Sequence, residues 1–70
     1  MSPTLTVNGD ARRLAPGATV ADVVALLGVE PGEAGVAAAV DGEVVPRARW
    51  AATPLADGAA VEVVRAAAGG

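Results

Sequence analysis

The 70-residue chain has no cysteine and no histidine. Disulfides, thiol nucleophiles, imidazole bases and the usual zinc donor sets are therefore excluded. Lysine is missing as well, and five arginines against eight acids leave a formal charge of -3. Nucleic-acid binding needs a phosphate-neutralising basic stripe. The largest basic groupings here are Arg12-Arg13 and the pair Arg47 and Arg49. Long apolar runs are also absent. Val36 to Val40 gives five consecutive apolar residues, whereas a membrane-spanning helix takes about 20. The first residues lack the charged start and apolar stretch of a signal peptide. These absences lead us to expect a soluble, cytoplasmic protein with little catalytic equipment in its side chains.

What is present is mostly small. Apolar residues make up 53% of the chain, but 18 of them are alanine. Only 12 valines, five leucines, Met1 and Trp50 bury much surface. A chain of this length holds one small domain, and its core must be efficient.

Periodicity divides the chain into short elements. Thr4-Leu5-Thr6-Val7 alternates polar and apolar, as a half-buried strand does. Asn8-Gly9 is a strong hairpin signal because both residues tolerate positive φ, and Ala11 to Leu14 reads as the returning strand. Ala15-Pro16-Gly17 breaks it. Thr19 sits at a helix N-cap with Asp22 three residues on, an acidic form of the capping box. Val20, Val23, Val24 and Leu27 then recur on one helical face, and Gly28 supplies the stop. After a loop containing Pro31-Gly32, Val36 to Val40 reads as a buried strand. Asp41-Gly42 turns the chain into Glu43-Val44-Val45, and Pro46 ends the pairing. Arg47 to Pro54 is irregular, with one helical turn expected around Trp50. Asp57-Gly58 turns again, and Ala60 to Arg65 forms the last strand, with Val61 and Val63 on one face.

This order predicts an α+β fold in two layers, a mixed sheet of four to five strands packed on one helix. It satisfies a β-grasp, or ubiquitin-like, topology. A ferredoxin-like fold needs a second helix, which this sequence does not offer. We expect the domain to span residues 1–65, with a flexible tail over 66–70, and the free protein to be a monomer.

Two features carry chemistry. The first is Gly69-Gly70. A main-chain carboxylate titrates near 3.3–3.7, so at neutral pH it is ionised and able to attack the α-phosphorus of ATP. Glycine lacks Cβ and passes easily into another enzyme's nucleotide site. Small residues such as Ala68 keep the approach slim. A chain ending in small residues is also compatible with a plain, functionless terminus. The second feature is Val45-Pro46-Arg47 with Trp50 three residues on, followed by Leu55 and the Asp57-Gly58 turn. Arg47 reads either as a solvated charge or as a contact to an acidic patch on a partner. Trp50 reads either as a plug at one end of the sheet or as a recognition residue. Arg65 either points outward from its strand or steers the tail. Asp10, Glu30, Glu33, Asp41, Glu43 and Glu62 are scattered without metal-ligand spacing, so solvation is their default reading.

Taken in order, Val45-Pro46-Arg47, Trp50, Asp57-Gly58 and Gly69-Gly70 resemble the ThiS family, the sulfur carrier proteins of thiamine thiazole synthesis. Gly17-x-Thr19-Val20 and Leu26-Leu27 match as well, so the resemblance covers nearly the whole chain. It implies that Gly70 is adenylated by an adenylyltransferase related to ubiquitin-activating enzymes (ThiF type). A persulfide donor then converts the end to a thiocarboxylate, which gives sulfur to thiazole synthase (ThiG type). ATP and magnesium belong to the activating partner, and the resemblance implies no cofactor for this chain, which acts as a recycled co-substrate rather than an enzyme. Arg47, Trp50 and Arg65 are the candidate partner-binding residues. The family's large aliphatic residues before the diglycine are replaced here by Ala66-Ala67-Ala68. The small subunit of molybdopterin synthase, carriers for other sulfur pathways, and a ubiquitin-like binding module without terminal chemistry are the alternatives.

Overall fold

The structure, a computed structural model, describes residues 2–66. It contains β1 (Thr4–Val7), β2 (Asp10–Arg13), α1 (Val20–Leu26), β3 (Val36–Val40), β4 (Glu43–Val45), a 3₁₀ helix (Arg47–Ala52) and β5 (Ala60–Arg65). The strands form one five-stranded sheet in the order β2-β1-β5-β3-β4. β1 and β5 run parallel at its centre, and the other pairs are antiparallel. This is the expected β-grasp arrangement.

The hairpin signals act through their backbone and through their side chains. Among the described residues, Asn8 and Asp41 are the two non-glycine residues with positive φ, each at 51°, followed by Gly9 and Gly42. Each also reaches β5. The Asn8 amide accepts from Val63 N at 2.8 Å and donates to Val63 O at 3.3 Å. The Asp41 carboxylate accepts from Ala60 N at 2.9 Å. Two turn residues thus hold the central strand from either side, a role the solvated reading of Asp41 missed. Asp57 acts similarly, accepting from Thr4 N at 2.8 Å.

The helix begins as its capping signature predicts. Thr19 Oγ1 accepts from Asp22 N at 3.4 Å, and Asp22 Oδ2 accepts from Thr19 N at 2.8 Å. Leu27 is its C-cap, and Gly28 follows at φ 80°. Backbone bonds from Val20 N to Thr53 O and from Leu55 N to Ala18 O tie this start to the segment after the 3₁₀ helix.

Val20, Val23 and Val24 lie on the inner sheet face with Leu5, Val7, Ala38, Val61 and Val63, closed by Leu14, Val29, Trp50 and Leu55. Two expectations shift. The second strand is Asp10–Arg13, and Leu14 leaves it to enter the core. β3 is not buried on both faces: only Ala38 is fully covered, because the single helix shields one side. The outer face keeps Ala37, Ala39, Val44, Glu62 and Val64 uncovered or half-covered. Exposed β2 carries Arg12 and Arg13 at one sheet edge, where charge opposes edge-to-edge pairing.

Candidate functional site

β5 carries the chain from the core to its last described residue. Val61 and Val63 are buried on the inner face, while Glu62 and Val64 face out. At the strand's end, Arg65 pairs in register with Val36 of β3. One residue later Ala66 N donates to Gly35 O at 2.7 Å, extending the pairing past the strand. Ala66, which the sequence assigns to the tail, is therefore bonded to the loop before β3. Ala68, Gly69 and Gly70, the expected reactive end and its approach, lie outside the described residues.

Arg65 does not stand free. Its guanidinium meets the Glu33 carboxylate through both Nε and Nη2, at 2.9–3.1 Å. Glu33 is itself ordered by its neighbours. Its Oε1 accepts from Glu30 N at 3.1 Å, and its backbone carbonyl accepts from the Arg47 guanidinium. The Glu30 N–H first, then Arg65, hold the Glu33 carboxyl below the usual carboxylate range. The scattered-acid reading was wrong for this residue.

Arg47 leaves the strand end at Pro46 and lies over the Trp50 ring, 4.8 Å from its centroid. The ring is a core element with 7% exposure, and its Nε1 donates to Val45 O at 2.8 Å. Arg47 therefore lies against a ring that is itself part of the core. The structure brings Arg47 and Arg65 together on the same loop through Glu33, a link that no sequence spacing announced. Glu33 lies 32 residues before Arg65, so only the β3–β5 pairing reveals it.

The described residues hold no buried polar or charged side chain and no group of three potential metal-binding side chains. No helix among them is long and apolar enough to cross a membrane. What the arrangement does offer is a central strand that runs out to Ala66, in a sheet with one uncovered face.

Those features define the class: a small β-grasp domain of the ubiquitin-like type. The ThiS family profile matches residues 5–70, and the chain belongs to that family. Among solved structures it is similar to a thiamine biosynthesis protein (ThiS) from Geobacter metallireducens. That likeness has 36% identity and a TM-score of 0.69, and covers 96% of this chain and 99% of the other. No curated protein sequence matches.

Proposed function

We propose that the chain is a sulfur carrier for thiamine thiazole formation and that its working group is the Gly70 carboxylate. The observation that carries this reading is the family match, which runs to residue 70 and so takes in Gly69-Gly70. An ionised carboxylate needs no side-chain base to act as nucleophile. In the activating enzyme, one carboxylate oxygen bonds to the α-phosphorus of ATP and pyrophosphate leaves. The resulting mixed anhydride is an electrophile. The terminal sulfur of a persulfide displaces AMP from it, and a reducing thiol breaks the remaining S–S bond to leave the thiocarboxylate. Each step draws its acid–base and metal chemistry from the partner; this chain delivers the carbonyl.

The uncovered sheet face suits successive docking on an adenylyltransferase and a thiazole synthase. Val44 and Val64 are 70% and 64% exposed, separated by the β3 alanines Ala37 and Ala39, with Glu62 across Ala39 from Val44. Small side chains make an adaptable, shallow contact. That fits partners which must release the carrier after each transfer. Arg47 and Arg65 lie on the opposite, helix side of the sheet, each bonded to Glu33, and an acidic group on either enzyme would meet them in competition with it.

Intact-mass spectrometry tests the reading. Incubation with a thiamine-type activating enzyme, ATP and a sulfur source should exchange one oxygen for sulfur. Removing Gly70 should abolish the exchange and leave the folded core unchanged by circular dichroism. An unaltered mass for the intact chain would sink the carrier role and favour a ubiquitin-like binding module.

A further inference from the structure

We propose that Glu33 is a positioning residue for the terminal reaction: it fixes, through Arg65, the direction in which the chain leaves β5. The proposal rests on the sulfur-carrier reading for its consequence, though not for its geometry. Three contacts join the Glu30–Gly35 loop and the first residue of β3 to the end of β5. Glu33 grips Arg65 with a two-pronged ion pair, Val36 pairs with Arg65 in the ladder, and Gly35 O accepts from Ala66 N.

Exposed ion pairs usually contribute little, because two mobile side chains must be ordered to form them. Here much of that ordering is already done. Glu33's carboxylate is held by Glu30 N, and its carbonyl by Arg47, whose guanidinium rests on Trp50. The chain of contacts therefore runs from a core tryptophan to the root of the terminal segment. Bidentate arginine–carboxylate geometry also restricts orientation as well as distance. Gly35 completes the fit. It has φ 76°, and a Cβ there would stand 3.0 Å from the Ala66 Cβ. The alanine at position 66 and the glycine at 35 let the two backbones approach. Ala66 carries only a methyl group, and its described bond to the loop is a backbone hydrogen bond.

Arg65 remains 48% exposed and Glu33 27%, so the pair sits where a docking enzyme reaches it without unfolding anything. A correctly aimed chain end raises the fraction of docked complexes that react. Its loss should lower kcat rather than docking affinity.

The test compares wild type with Glu33→Gln, Arg65→Gln and the double variant. In the free protein, NMR amide exchange at Ala66 should rise about two- to fivefold in each variant, the scale of one well-ordered surface pair. In thiocarboxylation assays kcat should fall by a similar factor with KM within about twofold. The double variant should be no worse than Arg65→Gln alone, because Glu33 acts through Arg65. Unchanged Ala66 exchange overturns the proposal, as does a rise in exchange with unaltered kcat. Multiplying effects in the double variant also overturn it. A wild-type chain that no activating enzyme modifies refutes the carrier reading instead, while the exchange data still decide whether Glu33 holds the strand end.

Discussion

Trp50 is the side chain whose loss should cost most. Its ring is 7% exposed, its Nε1 donates to Val45 O at 2.8 Å, and Arg47 lies 4.8 Å above it. Truncating a buried tryptophan to alanine costs about 3–5 kcal/mol. A domain of this length has a total stability of about 3.5–10 kcal/mol. At about 4–8 °C per kcal/mol, Trp50→Ala should therefore melt about 12–40 °C below wild type. Trp50→Phe separates the terms: it keeps most of the ring but removes the donor to Val45 O, a loss of about 1–3 kcal/mol. At about 4–8 °C per kcal/mol, that variant should melt clearly below wild type yet remain folded at 20–25 °C. Circular dichroism is the assay for both, because Trp50 is the only aromatic residue and its replacement removes the fluorescence signal. Trp50→Ala melting within a few degrees of wild type would refute the claim that this ring closes the core. Equal melting of Trp50→Phe and wild type would refute a role for the indole hydrogen bond.

Two further outcomes follow from the turn and the loop. Asn8→Ala should destabilise the domain by about 1–3 kcal/mol, since it loses both bonds to Val63 and retains a left-handed backbone. Asn8→Gly should cost less, because only the bonds are lost; equal melting of all three proteins would show that Asn8 does not hold β5. Glu33's lowered pKa, caused by Glu30 N–H and then Arg65, predicts a stability contribution present above the unfolded value of about 4.3 and lost as pH falls through the folded value. The melting-temperature gap between wild type and Glu33→Gln should thus hold steady above about pH 5.5 and close on acidification. A gap unchanged into strong acid would contradict it.

Local signals carried most of the fold. The alternation of Thr4 to Val7, the Thr19–Asp22 cap, the Gly28 stop and the Asp41-Gly42 turn all act within a few residues, and each appears where its chemistry requires. Arg47–Ala52 takes the expected helical turn around Trp50, tightened to a 3₁₀ helix. Contacts between distant segments were not legible. Nothing near Asn8 announces that its amide will meet Val63, 55 residues away. Asp41 looked like a turn former and also caps Ala60. Glu33 looked like one acid among several until the β3–β5 register set it beside Arg65. β3 misled in another way, because an apolar run of small residues reads as buried even when one face stays open.

For function the same division holds. The terminal diglycine and the Pro46-Arg47-x-x-Trp50 segment are visible as text, and they carried the likeness that the family match establishes. Arg47 and Trp50 were read separately, as a charge and a plug or as two partner contacts. Their stacking makes them one unit, with the tryptophan as support and the arginine as its outer surface.

The most direct test of sulfur carriage for thiazole formation follows the sulfur itself. The chain, once converted to its thiocarboxylate, is mixed with thiazole synthase and that enzyme's small substrates, and its intact mass is followed with time. The account predicts that its mass returns to that of the carboxylate as thiazole phosphate accumulates in equal amount. A thiocarboxylate that persists beside active thiazole synthase, yet is discharged by the large subunit of molybdopterin synthase, would contradict it.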